Sequence, residues 1–235
     1  MNVQTALENG QAVGLKLVCY HLEYFFNPIH FGHYAAIYGY DEQDTFLVDT
    51  LQQGSLVKTS LKSLANARSE KGPMSSRNLS YTLTKTDDTI DLECAVTRAI
   101  KNNANTFLNP PIRNIAVKGI RKASTEIPKW FKRSKDVKRD FITTAMLMEK
   151  AGTGGALFRN FYRDFLAESF AILGSPLVQE AHEIFSASAS NWTKVANLLE
   201  QAGESGDYHF IEEASNTLET IADDEEQAMK MLLFL

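Results

Sequence analysis

The stretch GHYAAIYGYDEQDTFLVDT, residues 32–50, contains two runs rich in aromatic and β-branched residues on either side of the polar segment DEQD. Runs of this composition predict strands, and a short polar connection joins two such strands as an antiparallel hairpin. We therefore predict strands over 33–40 and 45–49, joined by residues 41–44. His33 and Asp49 are then expected to lie beside each other at the open end of the hairpin.

The sequence on either side of this hairpin changes character near residue 85. Before that point, an apolar run at 13–20 predicts a buried strand, residues 60–68 a helix capped by Ser60, 69–77 a polar loop and 78–84 an edge strand. After it the pattern is helical, with helices predicted over 89–107, 114–131, 137–151, 156–173, 176–187, 190–202 and 207–235. Asp87 or Asp88 is the predicted cap of the first of these. Strands followed by helices predict an α+β chain with a β-rich lobe at 1–85 and an all-helical lobe at 86–235.

Composition excludes several classes of protein. The 235 residues are 44% hydrophobic, which excludes intrinsic disorder, and carry a net charge of −5, which argues against nucleic acid as a partner. No apolar run is long enough to span a membrane, and the N-terminus lacks a secretory signal, so we predict a cytoplasmic protein. No glycine-rich dinucleotide or phosphate-loop motif is present, so no cofactor is predicted.

The predicted neighbours His33 and Asp49 carry the strongest chemical signal. A carboxylate beside an imidazole fixes its tautomer and stabilises the imidazolium, which is the base and orienter of a nucleophilic triad. The catalytic interpretation predicts a ring-to-carboxylate distance within about 3.5 Å. The alternative is a pair of surface residues at strand ends.

The two cysteines are weaker candidates. Cys19 lies in a predicted buried strand with no helix N-terminus to lower its pKa, so a core thiol is favoured and a nucleophile is the alternative. Cys94 lies in a predicted helix, where core packing is favoured. His30 and His33 have a spacing that suits a metal only within a helix, which the nearby Pro28 and Gly32 disfavour, so no metal site is predicted.

Four segments of the sequence resemble the butirosin biosynthesis protein H family. They are the GHYAAIYGYD and VDT hairpin, GLKLVCYHLEY at 14–24, SLKSLANAR at 60–68 and GTGGALFRNFYRDFL at 152–166. The resemblance covers roughly residues 10–235, and it implies a partial papain-like lobe followed by a companion helical domain. It also implies an acyltransferase of natural product biosynthesis that moves an acyl group from an acyl carrier protein thioester to an amine.

In that family the nucleophilic Cys lies on an early helix, well before the His. The resemblance makes His33 the base and Asp49 its orienter, and we expect this chain to lack the segment with the nucleophile. A homo-oligomer or a sister subunit is then expected to cover the sheet face that the segment would protect. The same fold leaves two alternatives open: a non-catalytic binding protein or subunit, and a cysteine peptidase or amidase that uses water as the acceptor.

Three further residues are assigned to substrate binding. His30 and Tyr24 are expected near the cleft. Arg159 follows a glycine-rich segment that favours a phosphate such as that of phosphopantetheine, and the alternative is a structural pairing with Asp164 or Glu168. The basic stretch 129–139 predicts either a docking patch for an acidic carrier protein or a solvated loop.

Overall fold

A computed structural model describes residues 2–26, 30–72, 75–85 and 89–235. Contacts divide the chain into two compact units, Met1–Asp88 and Thr89–Leu235. The first contains an antiparallel sheet with two helices, and the second is built from helices. The predicted α+β class is therefore confirmed.

The N-terminal unit contains a five-stranded antiparallel sheet with the strand order β4-β3-β2-β1-β5. Its elements are α1 (Val3–Glu8), β1 (Val13–Val18), β2 (Gly32–Tyr40), β3 (Asp44–Val48), β4 (Leu56–Ser60), α2 (Leu61–Ser69) and β5 (Ser80–Tyr81). The sequence patterns did not indicate α1 and β4, which have only six and five residues. The predicted edge strand at 78–84 is reduced to the two residues of β5. The predicted loop at 69–77 includes residues 73–74, which lie outside the described part.

One face of this sheet packs against the two helices. The buried side chains alternate along the strands and meet those of α1 and α2; they are Val13, Leu15, Leu17, Ala35, Ile37, Leu47, Val3, Ala6, Leu64 and Ala67. Because side chains two residues apart point to the same face, His33 lies on the same face as Ala35, and Asp49 on the same face as Leu47. The core pattern thus directs both candidate residues to one side of the sheet.

The register of the hairpin differs from the predicted one. Tyr40 pairs with Thr45 across the turn, and a bulge between Ile37 and Gly39 brings Ala36 opposite Val48. His33 pairs instead with Leu17 of β1. Counted from the Tyr40–Thr45 pair, Asp49 would lie opposite Ala36, and the bulge moves this pairing one residue towards His33. The backbone of Asp49 is therefore not directly opposite His33, and the two side chains approach diagonally.

The C-terminal unit contains α3 (Leu92–Leu108), α4 (Ala116–Arg133), α5 (Val137–Lys150), α6 (Arg159–Leu173), α7 (Pro176–Ser205) and α8 (His209–Leu232). The prediction of two helices over 176–202 is wrong, because α7 runs through both segments. Phe185, Ala189, Trp192 and Ala196 keep the helical spacing of buried residues across the predicted gap, and no glycine or proline interrupts it. Within the described residues, no helix is both long and apolar enough to cross a membrane.

Three other local predictions in this unit need correction. The stretch 129–139 is not a loop: α4 continues to Arg133, and Asp136 caps α5 by accepting a hydrogen bond from the backbone N–H of Arg139. Helix α3 begins at Leu92 with Asp91 as its cap, whereas the predicted caps Asp87 and Asp88 lie outside the described residues. Cys94 is exposed on α3, so its predicted core role is wrong.

Candidate functional site

His33 and Asp49 are in direct contact. His33 Nε2 lies 2.7 Å from Asp49 Oδ1, so the predicted contact between the two side chains is present. The Asp49 side chain is fully buried and that of His33 is 20% exposed. When Nε2–H donates to the carboxylate, a neutral ring carries its lone pair on Nδ1. The pair therefore has the geometry of a base with its orienter.

Two more donors hold the Asp49 carboxylate. The Tyr24 hydroxyl donates to Oδ2 over 2.7 Å, and the backbone N–H of Thr50 donates to Oδ1 over 2.6 Å. Burial alone raises the pKa of the Asp49 carboxyl, but the hydrogen bonds from His33, Tyr24 and Thr50 outweigh burial and lower the pKa below its usual range. Asp49 is therefore an anion at neutral pH, as an orienter must be.

Replacing Asp49 by asparagine is expected to lower the free energy of unfolding at neutral pH by about 1–3 kcal/mol, because the hydrogen bonds to a charged group are lost. The folded-state pKa lies below the unfolded value of about 3.9, so this stabilisation is complete above about pH 4 and is lost as the pH falls through the folded-state pKa. Urea unfolding of both proteins across this range checks the prediction. A difference that is unchanged at about pH 3 contradicts it.

Tyr24 and Phe25 position the two candidate residues. Burial, together with the bond to Asp49, raises the pKa of Tyr24 far above its ordinary value, so its hydroxyl stays a donor. The Phe25 ring packs edge-on against the His33 ring with centroids 5.2 Å apart. Tyr24, predicted to bind substrate, thus directs its hydroxyl to the carboxylate. No sequence pattern indicated this pairing, because Tyr24 and Asp49 are 25 residues apart.

Cys19 is close to this cluster but is a poor nucleophile. Strand β1 ends at Val18, so Cys19 starts a short 3-10 turn (Cys19–His21) rather than lying in the predicted strand. Burial, with a smaller contribution from the charge of Asp49, raises the pKa of the buried Cys19 thiol to about 11. At pH 7 about one such thiol in 10⁴ is ionised. The structure favours the core-thiol interpretation.

The two cysteines are expected to differ in reactivity. At pH 7.5 the exposed Cys94 should react rapidly with a disulfide reagent, and Cys19 at least about 100-fold more slowly, because its thiolate fraction is small and its sulfur is buried. Thiol counting in the native chain, in Cys94→Ser and in urea measures this. A fast phase that remains in Cys94→Ser contradicts the prediction.

His30 belongs to a second cluster, not to the His33 pair. His30 Nδ1 lies 2.7 Å from Glu70 Oε1, and His21 Nε2 lies 2.5 Å from Glu70 Oε2. Tyr20 stacks on the His30 ring at 3.9 Å. This cluster joins the segment after β1 to the C-terminal end of α2. Among residues 2–26, 30–72, 75–85 and 89–235, no three His, Cys, Asp or Glu side chains are grouped in a way that suits a metal ion.

Arg159 is engaged within the helical unit. It makes a two-pronged ion pair with the fully buried Glu225, with Nε and Nη2 each 2.8 Å from a carboxylate oxygen, rather than pairing with Asp164 or Glu168. The predicted helix start at 156 is also shifted, because Ala156–Phe158 form a 3-10 turn and α6 begins at Arg159. The side chain assigned to phosphate binding thus has a structural partner that the sequence did not reveal.

Comparison with known families gives two matches. Residues 62–232 match the model of a family described as a domain of unknown function (DUF4872), and residues 1–50 match the model of butirosin biosynthesis protein H, N-terminal. No curated protein matches the chain. The matches relate the chain to the butirosin biosynthesis protein H type, as the sequence motifs indicated. The shorter match contains both His33 and Asp49.

Proposed function

This chain belongs to the family described as a domain of unknown function (DUF4872), and from that starting point we propose that it acts in acyl transfer of the papain-like cysteine type. The observation that carries the proposal is the 2.7 Å contact between His33 Nε2 and the buried Asp49 carboxylate. The match of residues 1–50 to butirosin biosynthesis protein H supports it. The proposed donor is an acyl carrier protein thioester and the proposed acceptor is an amine.

In the proposed reaction His33 Nδ1 takes the proton of a thiol. The thiolate attacks the thioester carbonyl, and a new carbon–sulfur bond forms. The bond between the acyl carbon and the carrier sulfur then breaks, and His33 donates its proton to the departing carrier thiolate. The amine then attacks the acyl-enzyme, His33 takes the amine proton, and the enzyme thiol is released. Asp49 stabilises the imidazolium in both steps and keeps Nδ1 directed at the reacting thiol.

The identity of the thiol is a separate element of the proposal. A pKa of about 11 makes Cys19 a weak nucleophile in this conformation. We therefore propose that His33 serves a thiol other than Cys19, in line with the early-helix nucleophile of the family. Comparing Cys19→Ser with Cys94→Ser tests this, because both variants remove a sulfur, while Cys19 lies near Asp49 and Cys94 belongs to the other unit.

The proposed partner is an acidic acyl carrier protein. The exposed cations at the end of α4 and the start of α5 support this choice, and they include Lys132, Arg133, Lys135 and Lys138. Attraction between opposite charges accelerates the encounter of two proteins and weakens with added salt. The aromatic residues of this stretch pack against Phe141 of α5: the Trp130 ring stacks on it with centroids 4.3 Å apart, and the Phe131 ring contacts it edge-on.

The direct experiment incubates the full chain with butyryl-loaded acyl carrier protein and an aminoglycoside, and measures free carrier thiol and amide product by mass. The chain has two cysteines, and we expect neither to serve His33. Product should therefore require an added small thiol such as N-acetylcysteamine, and with that thiol it should form equally with the wild type and with both cysteine variants. Product that disappears only in Cys19→Ser makes Cys19 the nucleophile and overturns our assignment of the thiol. A folded wild type that forms no amide in the presence of the added thiol overturns the proposed acyl transfer.

The raised pKa of Cys19 favours one alternative, a non-catalytic binding protein of the same fold. This alternative predicts that the chain binds loaded acyl carrier protein without releasing its thiol. Release of free butyrate in place of the amide would instead indicate a hydrolase of the peptidase or amidase kind. The same incubation distinguishes the three outcomes.

A further inference from the structure

A cavity of about 490 Å³ lies within the helical unit, bordered by α4, α5, α7 and α8. Its walls are mainly apolar, and they include Ile120, Ala123, Trp130, Trp192, Val195 and Leu199. Cavities of a few hundred cubic ångströms with apolar walls and a few polar groups are typical of small-molecule sites. All residues that line the cavity belong to this unit, and neither His33 nor Asp49 is among them.

Strained backbone borders this cavity on two sides. In the described part of the helical unit, four non-glycine residues have positive φ: Ala116, Ala156, Leu157 and Phe158. Ala116 and Leu157 both line the cavity. Such conformations are energetically unfavourable for residues other than glycine and persist where the surroundings impose them, often at ligand sites. Two separate segments of the chain thus adopt costly conformations at the same place.

Arg159 supplies the polar end of the cavity. Its guanidinium lies over the Trp192 ring at 4.7 Å and lines the cavity, while Nε and Nη2 donate to Glu225 and Nη1 donates to the Leu157 carbonyl. A guanidinium has five N–H groups, so one on Nη1 and one on Nη2 are left by these bonds. Because Glu225 neutralises the charge, the remaining donors favour a neutral acceptor over an anion.

We propose that this cavity binds an aliphatic chain that carries one neutral carbonyl, as in an amide, an ester or a thioester. The chain packs against the apolar walls, and the carbonyl oxygen accepts from Arg159. The inference does not rest on the proposed acyl transfer, because binding and turnover are measured separately and involve different residues. Amide, ester and thioester share this chemistry, and a carboxylate does not.

The two tryptophans of the chain both line the cavity and therefore report on its occupancy. Titration with N-methyloctanamide should give a saturable change in tryptophan fluorescence, with octanoate binding about tenfold more weakly because its charge faces Glu225. A wild type that shows no saturable change with either probe overturns the proposal. Tighter binding of octanoate than of the amide overturns the neutral-carbonyl assignment.

Substitutions on α4 provide a matched pair. Ala123→Leu places extra atoms in the cavity, whereas Thr125→Leu adds a leucine at an exposed position of the same helix. We expect Ala123→Leu to weaken binding of the amide at least about tenfold and Thr125→Leu to leave it unchanged. Equal binding by the two variants contradicts the placement of the ligand.

The donor role of Arg159 is tested by replacing both members of the ion pair. Arg159→Met together with Glu225→Gln removes the guanidinium without leaving a buried charge alone. This double variant should bind the amide about tenfold more weakly and lose the preference for amide over octanoate. A preference that survives in the folded double variant overturns the assignment of Arg159 as donor.

Discussion

Replacing His33 by alanine is expected to lower the rate of acyl transfer by about 10²–10⁴-fold, because the base of both proton transfers is removed. The fold should be retained, since His33 lies at the start of β2 with a partly exposed side chain and the core of the sheet does not depend on it. The measurement is the initial rate of carrier thiol release, compared with circular dichroism of each protein.

His209→Ala is the matched control for this prediction. His209 is exposed at the start of α8, in the other unit of the chain, so its removal tests whether losing any histidine has an effect. We expect the control to keep the wild-type rate. If His33→Ala is folded and as fast as His209→Ala, His33 is not the base, and the function proposed for the pair is wrong.

Replacing Glu225 by alanine is expected to destabilise the chain by about 3–5 kcal/mol, the cost of removing one member of a buried ion pair. The Glu225 side chain is fully buried, and it accepts hydrogen bonds from Arg159, Ser188 and Trp192. Without it, an arginine side chain that is only 18% exposed has no counter-charge, and two further donors lose their acceptor. Urea unfolding monitored by circular dichroism measures the change.

Glu219→Ala provides the comparison, because Glu219 lies on the same helix at an exposed position. Exposed substitutions of this kind change stability by less than about 0.5 kcal/mol. The double variant Arg159→Met with Glu225→Gln should lose less stability than Glu225→Ala, since no charge is left unpaired. Equal unfolding free energies for Glu225→Ala and Glu219→Ala would show that the buried pair does not hold this unit together.

The elements that were predictable from the sequence are those with a local cause. The alternation of β1 to β3, the Ser60 cap of α2 and the Asp136 cap of α5 all depend on residues within a few positions of each other. Two of the errors in the predicted helices have a tertiary cause. Helix α7 passes through the predicted gap because Ser188 and Ala189 are buried in the helical core. The first part of the stretch 129–139, for which a loop was one interpretation, lies in α4, where Trp130 packs on Phe141.

The candidate site also has features that the sequence predicts and features that depend on the tertiary structure. The hairpin that carries His33 and Asp49 follows from the turn residues between its strands, but its register does not, because the bulge at Ile37–Gly39 shifts the pairing. Tyr24 lies in the segment after β1, and only the folded chain brings its hydroxyl to the Asp49 carboxylate. A contact across 25 residues leaves no periodic trace in the sequence.

By itself, the sequence determined that strands precede helices, that a hairpin places His33 and Asp49 at one end of the sheet, and that the chain resembles the protein H family. These features follow from side-chain periods and turn residues, which act over a few positions. Tertiary structure alone decided that Asp49 is a buried anion, that the Cys19 thiol has a raised pKa, and that Arg159 finds Glu225 across 66 residues. The pKa of a side chain and the partner of its charge depend on all the elements that surround it in the folded chain. Those elements come from distant parts of the sequence, so a local sequence pattern does not reveal them.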